Sequence, residues 1–442
     1  MTGPFHTLPK NSPLERAFLV GITLPGESHE DEMENLGELA MLVRSASAEV
    51  VGSTIQHRTR IDGSTFIGSG KLEELARTIH AENINLIIFD DDLSPAQARN
   101  IEGRLNVNVV DRTEVILDIF VRRARTRQAR IQVEIAQLIY ALPRLRRLWQ
   151  HLSRQAGGIG TRGPGETQLE VDRRRVREKI AHLKHELRRI DRGAAERRKR
   201  RRDVFHATIV GYTNAGKSTL LNALAGSSVP QSGRLFSTLD STTRRVMLPG
   251  DETILMTDTI GFIRRLPPHL VASFRATLMD VREADLLLHV VDVSGARYAE
   301  RISVVHSVLE GVLRDGVPGT NRTESIPTIL VLNKIDLIDD RAVRESLLRA
   351  YPEAMPVSAA RGEGLERLLS AIESRIEHDT VSAEVFVSTE DGKGIAAIES
   401  NARVLNRRVV DGRLRFDVSV RRRKIALLER IGEVRLRPLR PH

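Results

Sequence analysis

The sequence predicts an α/β protein built from several domains. Short apolar runs alternate with helix-period segments over residues 15–121, which indicates a largely parallel sheet joined by helices. Two apolar stripes at intervals of three and four residues flank a glycine-rich break in the middle of the chain. A glycine-bounded loop joins an apolar run to a helical stretch at 207–224. At 442 residues the chain is also too long for one typical domain.

The composition excludes several classes of protein. Hydrophobic residues make up 40% of the chain, which is enough for real cores. No stretch approaches the ~20 apolar residues of a membrane span, and the N-terminus lacks the basic flank and apolar core of a signal peptide. The absence of Cys excludes disulfides, thiol catalysis and Cys-based zinc sites. The 13 His residues show no H-E-x-x-H pairing, which favours exposed or capping histidines over a metal site. We expect a cytoplasmic monomer.

The N-terminal part, residues 1–121, is predicted to be a small α/β domain that follows a loose tail over 1–14. Its segments are predicted in the order strand, helix, strand, helix, strand, helix, strand. They fall at 17–20, 33–43, 49–55, 72–75, 86–89, after Ser94-Pro95 and at 107–110.

Two short motifs in this domain are similar to functional sites. Gly68-Ser-Gly-Lys71 resembles a phosphate loop, but Thr65 replaces the first glycine and Leu72 replaces the metal-binding hydroxyl. We therefore favour a glycine turn into a helix. Asp90-Asp-Asp92 stands just before Ser94-Pro95, where an N-cap and a Pro at the first helical position belong. Capping and solvation explain this acidic run better than a metal cluster.

The middle part, residues 122–202, is predicted to form an antiparallel helical hairpin in which each apolar stripe buries the other. Pro143 should kink the first helix, because it lacks a backbone donor and clashes with the preceding turn. The stripes consist of Ile135, Leu138, Leu142, Leu145, Trp149 and Leu152, and of Val176, Ile180, Leu183, Leu187, Ile190 and Ala194.

This hairpin carries the positive charge of the chain. The whole protein has a net charge of +10, yet 122–202 holds 25 Lys+Arg against 8 Asp+Glu, a balance of +17 that leaves −7 elsewhere. Such a segment indicates a polyanionic partner, with nucleic acid as the leading candidate. A solvated helix face is the alternative.

The tip of the hairpin, residues 157–165, has five glycines and one proline, so it cannot be helical. Its backbone suits contact with a phosphate or a base, and Arg162 is available for an ionic contact; a merely flexible turn is the alternative. Arg173, Arg174 and Arg175 begin the outer face of the second helix. Because the chain has one Trp and four Tyr, we expect shape and phosphate contacts with structured RNA rather than stacking on bases.

The third part, residues 203–376, opens with a phosphate-binding P-loop. A strand-like run at 207–210 precedes the loop and a helical run follows it, as this motif requires. Lys217 would bridge the β- and γ-phosphates, and the Ser218 hydroxyl would bind Mg²⁺. The loop consists of Gly211, Tyr212, Thr213, Asn214, Ala215, Gly216, Lys217 and Ser218.

Three further motifs follow predicted strands in the order that a GTP-binding domain requires. The first would hold a water on Mg²⁺ and bring a glycine N–H to the γ-phosphate. In the second, one carboxylate at Asp336 would accept both donors of the guanine edge, and adenine would leave it unpaired, which can discriminate by ~10⁴. The third would back the base with a main-chain N–H. The motifs are Asp258, Thr259, Ile260 and Gly261; Asn333, Lys334, Ile335 and Asp336; and Ser358, Ala359 and Ala360.

The first mobile loop of this domain should supply a threonine that binds Mg²⁺ beside the γ-phosphate. Thr238 is our choice, and spacing leaves Thr242 and Thr243 as rivals. The loop residues expected at the nucleotide are Phe236, Ser237, Thr238, Leu239 and Asp240.

Two side chains in this domain bear on turnover. Phe262 stands where many GTPases carry the Gln that orients the attacking water, so turnover should be slow until a partner completes the site. Asn214 could coordinate a monovalent cation such as K⁺ beside the phosphates, or make hydrogen bonds within the loop. The residue that positions the water is not identified by the sequence.

The last part, residues 377–442, is predicted to be a small α+β domain. Strands are expected at 383–388, 406–410 and 414–420, with helices over 392–405 and 424–430. Its sequence indicates no role.

Over nearly its full length the chain resembles the HflX family of translation GTPases, within the wider Obg-HflX group. The resemblance rests on 65–71, on the tip sequence 157–167, and on 211–219, 235–240 and 258–263. Ser241 departs from it, since the family more often has Pro there, and this weakens the placement of the first mobile loop.

The resemblance implies a Ras-like P-loop GTPase domain and binding of GTP and GDP with Mg²⁺. It also implies binding to the large ribosomal subunit and its RNA, with the hairpin reaching toward the peptidyl-transferase region. Members are associated with splitting stalled or idle ribosomes. A role in subunit assembly without splitting is the alternative.

Overall fold

The computed structural model describes residues 15–145, 168–199, 204–226, 235–236, 239–265, 267, 280–295, 297–314, 326–378 and 380–436. The α/β fold class, with its hairpin and its P-loop domain, is confirmed.

The N-terminal domain is a four-stranded parallel sheet of order β2-β1-β3-β4 with helices on both faces. One apolar cluster includes residues of α1 and α4, and the other includes residues of α2 and α3. The predicted alternation is correct, and the sequence prediction missed only α4. The elements are β1 (Arg16–Thr23), α1 (His29–Ser45), β2 (Glu49–His57), α2 (Ser69–Glu82), β3 (Leu86–Phe89), α3 (Pro95–Leu105), β4 (Asn108–Asp111) and α4 (Arg112–Arg123).

The two local motifs of this domain have different outcomes. Gly68 is the N-cap of α2, as the glycine-turn interpretation predicts, and Lys71 pairs with Glu74 at 2.8 Å. Ser94 and Pro95 begin α3 with a capping box. The prediction that the acidic run 90–92 is solvated was wrong for Asp90, because this carboxylate is buried and forms ion pairs.

The hairpin consists of α5 (Arg127–Ala141) and α6 (Gln168–Lys199). The helices run antiparallel, since Arg127 pairs with Glu186 while Glu134 pairs with Lys179. Its described seam is formed by Ile131, Ile135 and Leu183, with Leu138, Ile139, Ile180, Leu187 and Ile190 packed around them. Trp149, Leu152 and the tip with Arg162 lie outside the described residues.

Pro143 ends the first helix instead of kinking it, which corrects the sequence prediction. Helix α5 stops at Ala141, and Leu142–Arg144 form a 3₁₀ turn. The Arg144 guanidinium lies 3.6 Å from the Tyr140 ring centre and 3.0 Å from the Asp111 carboxylate. At this point the chain therefore packs against the N-terminal domain and does not continue as a bent helix.

The third domain has a six-stranded sheet of order β10-β9-β8-β5-β7-β6, in which only β6 is antiparallel to its neighbour. The carboxyl ends of β5, β7, β9 and β10 lie at one edge, where ligands bind in such sheets. The elements are β5 (His206–Gly211), α7 (Lys217–Leu224), β6 (Thr242–Met247), β7 (Thr253–Asp258), β8 (Leu286–Asp292), α8 (Tyr298–Arg314), β9 (Thr328–Asn333), α9 (Arg341–Ala350), β10 (Met355–Val357) and α10 (Leu365–His378).

The C-terminal domain is an antiparallel sheet of order β12-β13-β11-β14. The helix predicted over 392–405 ends at Asn401, and Leu405 belongs to the following strand, because Val404 and its neighbours pair with β13. The elements are β11 (Thr380–Ser388), α11 (Gly392–Asn401), β12 (Arg403–Val410), β13 (Arg413–Arg421), α12 (Ile425–Leu428) and β14 (Glu433–Leu436).

Candidate nucleotide-binding site

The P-loop follows β5 and ends in α7, as predicted. Gly216 adopts a φ of 91°, and a Cβ there would collide with the Asn333 side chain, so glycine is required. Ala215 is buried, whereas Asn214 is exposed with a φ of 61°. The loop thus turns its backbone tightly beneath the site where phosphates would lie.

Lys217 is a buried cation whose ammonium group donates to the Tyr212 carbonyl at 2.9 Å. Burial lowers the pKa of Lys217 to about 8, and the Asp258 carboxylate opposes this shift. A phosphate at the loop would supply the negative charge that favours the protonated amine.

Ser218 and Asp258 meet beside this lysine. The Ser218 hydroxyl donates to the Asp258 carboxylate at 2.5 Å, so a hydroxyl oxygen and a carboxylate oxygen converge at one point. Mg²⁺ prefers oxygen ligands of these two kinds. The donor set therefore fits a magnesium ion.

Asn333 connects the phosphate side of the site to the base side. Its amide nitrogen donates to the Ala215 carbonyl at 2.8 Å, and its oxygen accepts from the Ala359 N–H at 3.0 Å. The P-loop, the 333–336 motif and the 358–360 loop are thus brought together around one buried amide.

The base-recognition motif lies next to charged neighbours. Lys334 pairs with Asp292 at 2.6 Å, and Ile335 is buried beside it. The Asp336 carboxylate, predicted to read guanine, lies 3.5 Å from the Arg361 guanidinium. Ser358 is fully buried, while Ala360 is exposed at the end of its loop.

The second mobile loop, residues 259–265, pairs with the P-loop through its backbone. The Thr213 N–H donates to the Phe262 carbonyl at 2.7 Å, and the Phe262 N–H donates to the Gly211 carbonyl at 3.1 Å. Gly261 lies so close to Thr213 and Lys217 that a Cβ would clash. The Phe262 ring is buried in an apolar cluster with Val281 and other residues, so it cannot orient a water.

The first mobile loop is described at 235–236 and from 239 onward, and its described side chains turn toward the N-terminal domain. Phe236 and Leu239 are buried in the cluster of α1 and α4, and the Asp240 carboxylate accepts hydrogen bonds at the start of α5. Ser237 and the chosen threonine, Thr238, lie outside the described residues.

The two rival threonines are both in β6. Thr242 is exposed, whereas the Thr243 hydroxyl is already 2.8 Å from that of Thr257.

The second mobile loop also contacts a set of buried charges that the sequence analysis missed. Arg112 pairs with Glu38 and, at 2.6 Å, with Asp90, and it donates to the Arg264 carbonyl at 3.1 Å. Arg265 binds Asp90 at 3.2 Å. We call these residues, with Tyr212, the charged interface.

Tyr212 joins this interface to the P-loop. Its hydroxyl donates to Glu38 and accepts from the Arg264 N–H at 2.7 Å. Burial raises the pKa of Glu38 despite the opposing effect of Arg112, and burial also raises the pKa of Tyr212. Glu38 and Tyr212 are 174 positions apart, and no local pattern predicts such a contact.

The residues predicted to contact RNA lie early in α6. Arg174 and Arg175 are exposed, while Arg173 is half-buried. Arg175 lies 3.7 Å from Asp172, and Arg174 lies 4.0 Å from Glu178, both within the same helix. Arg162 lies outside the described residues.

Two features are absent from the part of the chain that the structure describes. No helix there is long and apolar enough to cross a membrane. No group of three or more His, Cys, Asp or Glu side chains in this part of the chain could hold a metal ion by itself.

Comparisons with known proteins cover nearly the whole chain. Four family models match in succession: "GTP-binding GTPase N-terminal" at 33–121, "GTP-binding GTPase Middle Region" at 123–201, "50S ribosome-binding GTPase" at 206–334 and "HflX C-terminal domain" at 347–438.

Several relatives are named GTPase HflX. The protein of Magnetococcus marinus is 42% identical over 88% of this chain and 89% of its own length. That of Escherichia coli K12 is 40% identical, with 86% and 87% covered. A crystal structure of a GTP-binding protein from Sulfolobus solfataricus in complex with GDP is 25% identical, with 82% and 98% covered and a TM-score of 0.44.

The P-loop, the ordered motifs and the relatives lead to one assignment. The chain belongs to the HflX family and is a GTP-binding, GTP-hydrolysing enzyme.

Proposed function

We propose that this GTPase binds the large ribosomal subunit and, in its GTP-bound state, splits stalled or idle ribosomes in the cytoplasm. The observation that carries the proposal is that one chain combines a nucleotide site with an arginine-rich hairpin. A nucleotide site organised by Asn333 lies in the same chain as a hairpin with exposed arginines at 174 and 175. The description of the family model at 206–334 as a 50S ribosome-binding GTPase supports the choice of partner.

Within the site, the residues of 211–218, 258–261, 333–336 and 358–360 would contact the nucleotide, together with Ser237 and Thr238 of the first mobile loop. Ser218 and Thr238 would hold Mg²⁺, with Asp258 acting through a water. The ion would neutralise charge that develops between the β- and γ-phosphates. Asn214, exposed at the rim of the loop, would contribute to a K⁺ site.

Turnover by the isolated protein should be slow. The Phe262 side chain is buried away from the site, and its backbone is held by Gly211 and Thr213. A water would therefore need a group supplied from elsewhere, as happens when partners complete GTPase sites. Ribosomal particles would supply that group or move the second loop.

The hairpin would bind folded RNA through phosphate contacts. Its outer face carries unburied guanidinium groups, and the tip with Arg162 would reach the RNA backbone. No residue set in the described part is arranged for covalent RNA chemistry, so subunits would be separated by wedging.

The test is sedimentation of intact ribosomes after incubation with the protein and a non-hydrolysable GTP analogue. Release of free subunits supports splitting. Unchanged particles that carry the protein favour the assembly role, and particles that carry none contradict both.

A matched pair of variants ties the effect to the nucleotide. Lys217→Ala should abolish nucleotide binding, because it removes the buried ammonium group that faces the phosphates. Lys393→Ala, at an exposed position of the C-terminal domain, should change nothing.

A further inference from the structure

The end of the first mobile loop is hydrogen-bonded to the start of the hairpin. The Asp240 carboxylate accepts from the backbone N–H groups of Arg125 at 3.0 Å and Thr126 at 3.1 Å, and also from the Thr126 hydroxyl. Thr126 is the N-cap of α5, since its hydroxyl oxygen accepts from the Ala129 N–H at 3.1 Å. Asp240 thus extends the cap of the first hairpin helix.

The other end of the same loop is held by the N-terminal domain. The Leu235 N–H donates to the Ser45 hydroxyl at 3.0 Å, at the end of α1. The Phe236 ring packs edge-on against Phe120 of α4, with centroids 4.9 Å apart. Only residues 237 and 238 separate this anchor from buried Leu239 and from Asp240.

The described residues of this loop are therefore held on both sides. Leu235 and Phe236 contact α1 and α4, and Asp240 contacts the start of α5. Helix α5 is itself packed along the hairpin seam through Ile131 and Ile135. A displacement of Asp240 would therefore act directly on the first turn of the hairpin.

We propose that Asp240 is a positioning residue that couples the first mobile loop to hairpin helix α5 through Thr126. This inference rests on the proposed function, because Thr238 is taken to sense the γ-phosphate. Binding of GTP pulls on the cap of α5, and RNA bound to the hairpin changes the placement of Asp240. Coupling between two sites is reciprocal, so each effect requires the other.

A purely structural cap would hold the loop without responding to the nucleotide. The deciding readout is amide hydrogen exchange in peptides that cover 125–130, compared between GDP and a non-hydrolysable GTP analogue in the full chain. We expect exchange in this first turn of α5 to differ about five-fold or more between the two nucleotides.

Three variants make the result specific. Asp240→Ala and Thr126→Val should each abolish the difference, and the double variant should lose no more than either single one. Asp340→Ala is the matched control, because Asp340 caps α9 by accepting from Ala342 at 2.8 Å with no link to the hairpin. It should keep the difference.

The proposal is overturned if exchange at 125–130 is the same with both nucleotides in the unmodified chain. It is also overturned if Asp240→Ala keeps the difference. These results need no ribosomes, so they are separate from the failure of the proposed function, which would appear as a chain that responds to nucleotide but does not bind the large subunit.

Discussion

Two arginine-rich regions of this protein use the same side chain in opposite ways. In the charged interface, the side chain of Arg112 is 3% exposed and lies between Glu38 and Asp90. On helix α6, the side chain of Arg175 is 74% exposed, with Asp172 of the same helix 3.7 Å away. The first arginine has buried partners, and the second faces solvent.

The difference shows what a count of charges leaves out. Residues 122–202 carry a net charge of +17. The arginines that join the second mobile loop to the N-terminal domain, Arg112 and Arg265, lie outside that segment. Buried charges must be paired to offset their desolvation, whereas exposed ones remain available for a polyanion. Burial and pairing, rather than the number of charges, separate internal contacts from a surface that is available to a polyanion.

The largest effect that would test this contrast is the loss of Arg112. Arg112→Ala would leave Glu38 and Asp90 buried without their cation, so we expect the free energy of unfolding to fall by about 3–5 kcal/mol. Arg122→Ala is the control on the same helix, since its pair with Asp118 is partly exposed and should contribute only about 0.3–0.5 kcal/mol. Chemical denaturation monitored by circular dichroism measures both losses. Equal losses of unfolding free energy in the two variants would contradict the contrast between buried and exposed arginines.

The next effect falls on binding to the large subunit. Reversal of Arg173, Arg174 and Arg175 to Glu should weaken association with large subunits and spare the GTPase activity of the free protein. If each contacts one phosphate, the slope of log K against log salt should become less steep by about 2–3.

The control for this reversal moves the same charge to another surface. Arg341, Arg349 and Arg367, exposed on the GTPase domain, can be changed to Glu together. Should both triple variants weaken binding alike, the hairpin arginines would be no more than part of the overall charge.

A smaller effect concerns Arg361, which is exposed and also has an acidic partner. The side chain of Arg361 is 62% exposed and pairs with Asp336, and its guanidinium offers the same forked donors as the edge of guanine. The nucleotide must displace it, so Arg361→Ala should strengthen GDP binding about two- to five-fold, the size of an exposed ion pair.

A double-mutant cycle separates this displacement from long-range attraction to phosphate. In the Asp336→Asn background, with xanthosine diphosphate as the probe, Arg361→Ala should no longer strengthen binding. If Arg361→Ala changed nucleotide affinity by the same factor in both backgrounds, Arg361 and Asp336 would act independently.

The smallest effect is a pH dependence at Asp91, whose carboxylate lies 3.1 Å from Arg265 of the charged interface. Burial raises the pKa of Asp91 from 3.8 to about 6, while Arg265 opposes the shift. The folded protein then takes up a proton near pH 6 that the unfolded chain does not, so the contribution of Asp91 to stability falls as pH rises through 6.

Asp91→Asn should therefore flatten the dependence of stability on pH between about 4 and 6. The change should stay below about 1 kcal/mol, because a third of the side chain is exposed. Melting temperatures of the two proteins at several pH values would check it, and parallel curves would exclude Asp91 as the titrating group.

The sequence predicts most of the fold because its signals are local. Alternating apolar runs predicted every strand of the N-terminal sheet, and the motif order predicted which loops meet at Asn333. Ser94 and Pro95 begin a helix as their chemistry requires. The prediction for Pro143 failed because the chain beyond Ala141 contacts the N-terminal domain, through Arg144 and Asp111.

Contacts between domains left no such signal. Asp90 was interpreted as a solvated carboxylate, yet it binds Arg265, 175 positions away. Asp240 was assigned to the nucleotide, and its described partners are 114 and 115 positions away at the start of α5. A contact between two domains leaves no periodic pattern in the sequence, so it cannot be predicted from a single sequence.

Helix α6 ends at Lys199, and the strand that carries the P-loop begins at His206. With 32 residues at ~1.5 Å each, the helix is about 48 Å long. A tilt of ~10° at its base would sweep the far end through roughly 8 Å. A helix of this length would act as a lever, because a small rotation at the P-loop end would become a displacement of several ångströms at the end that carries the tip.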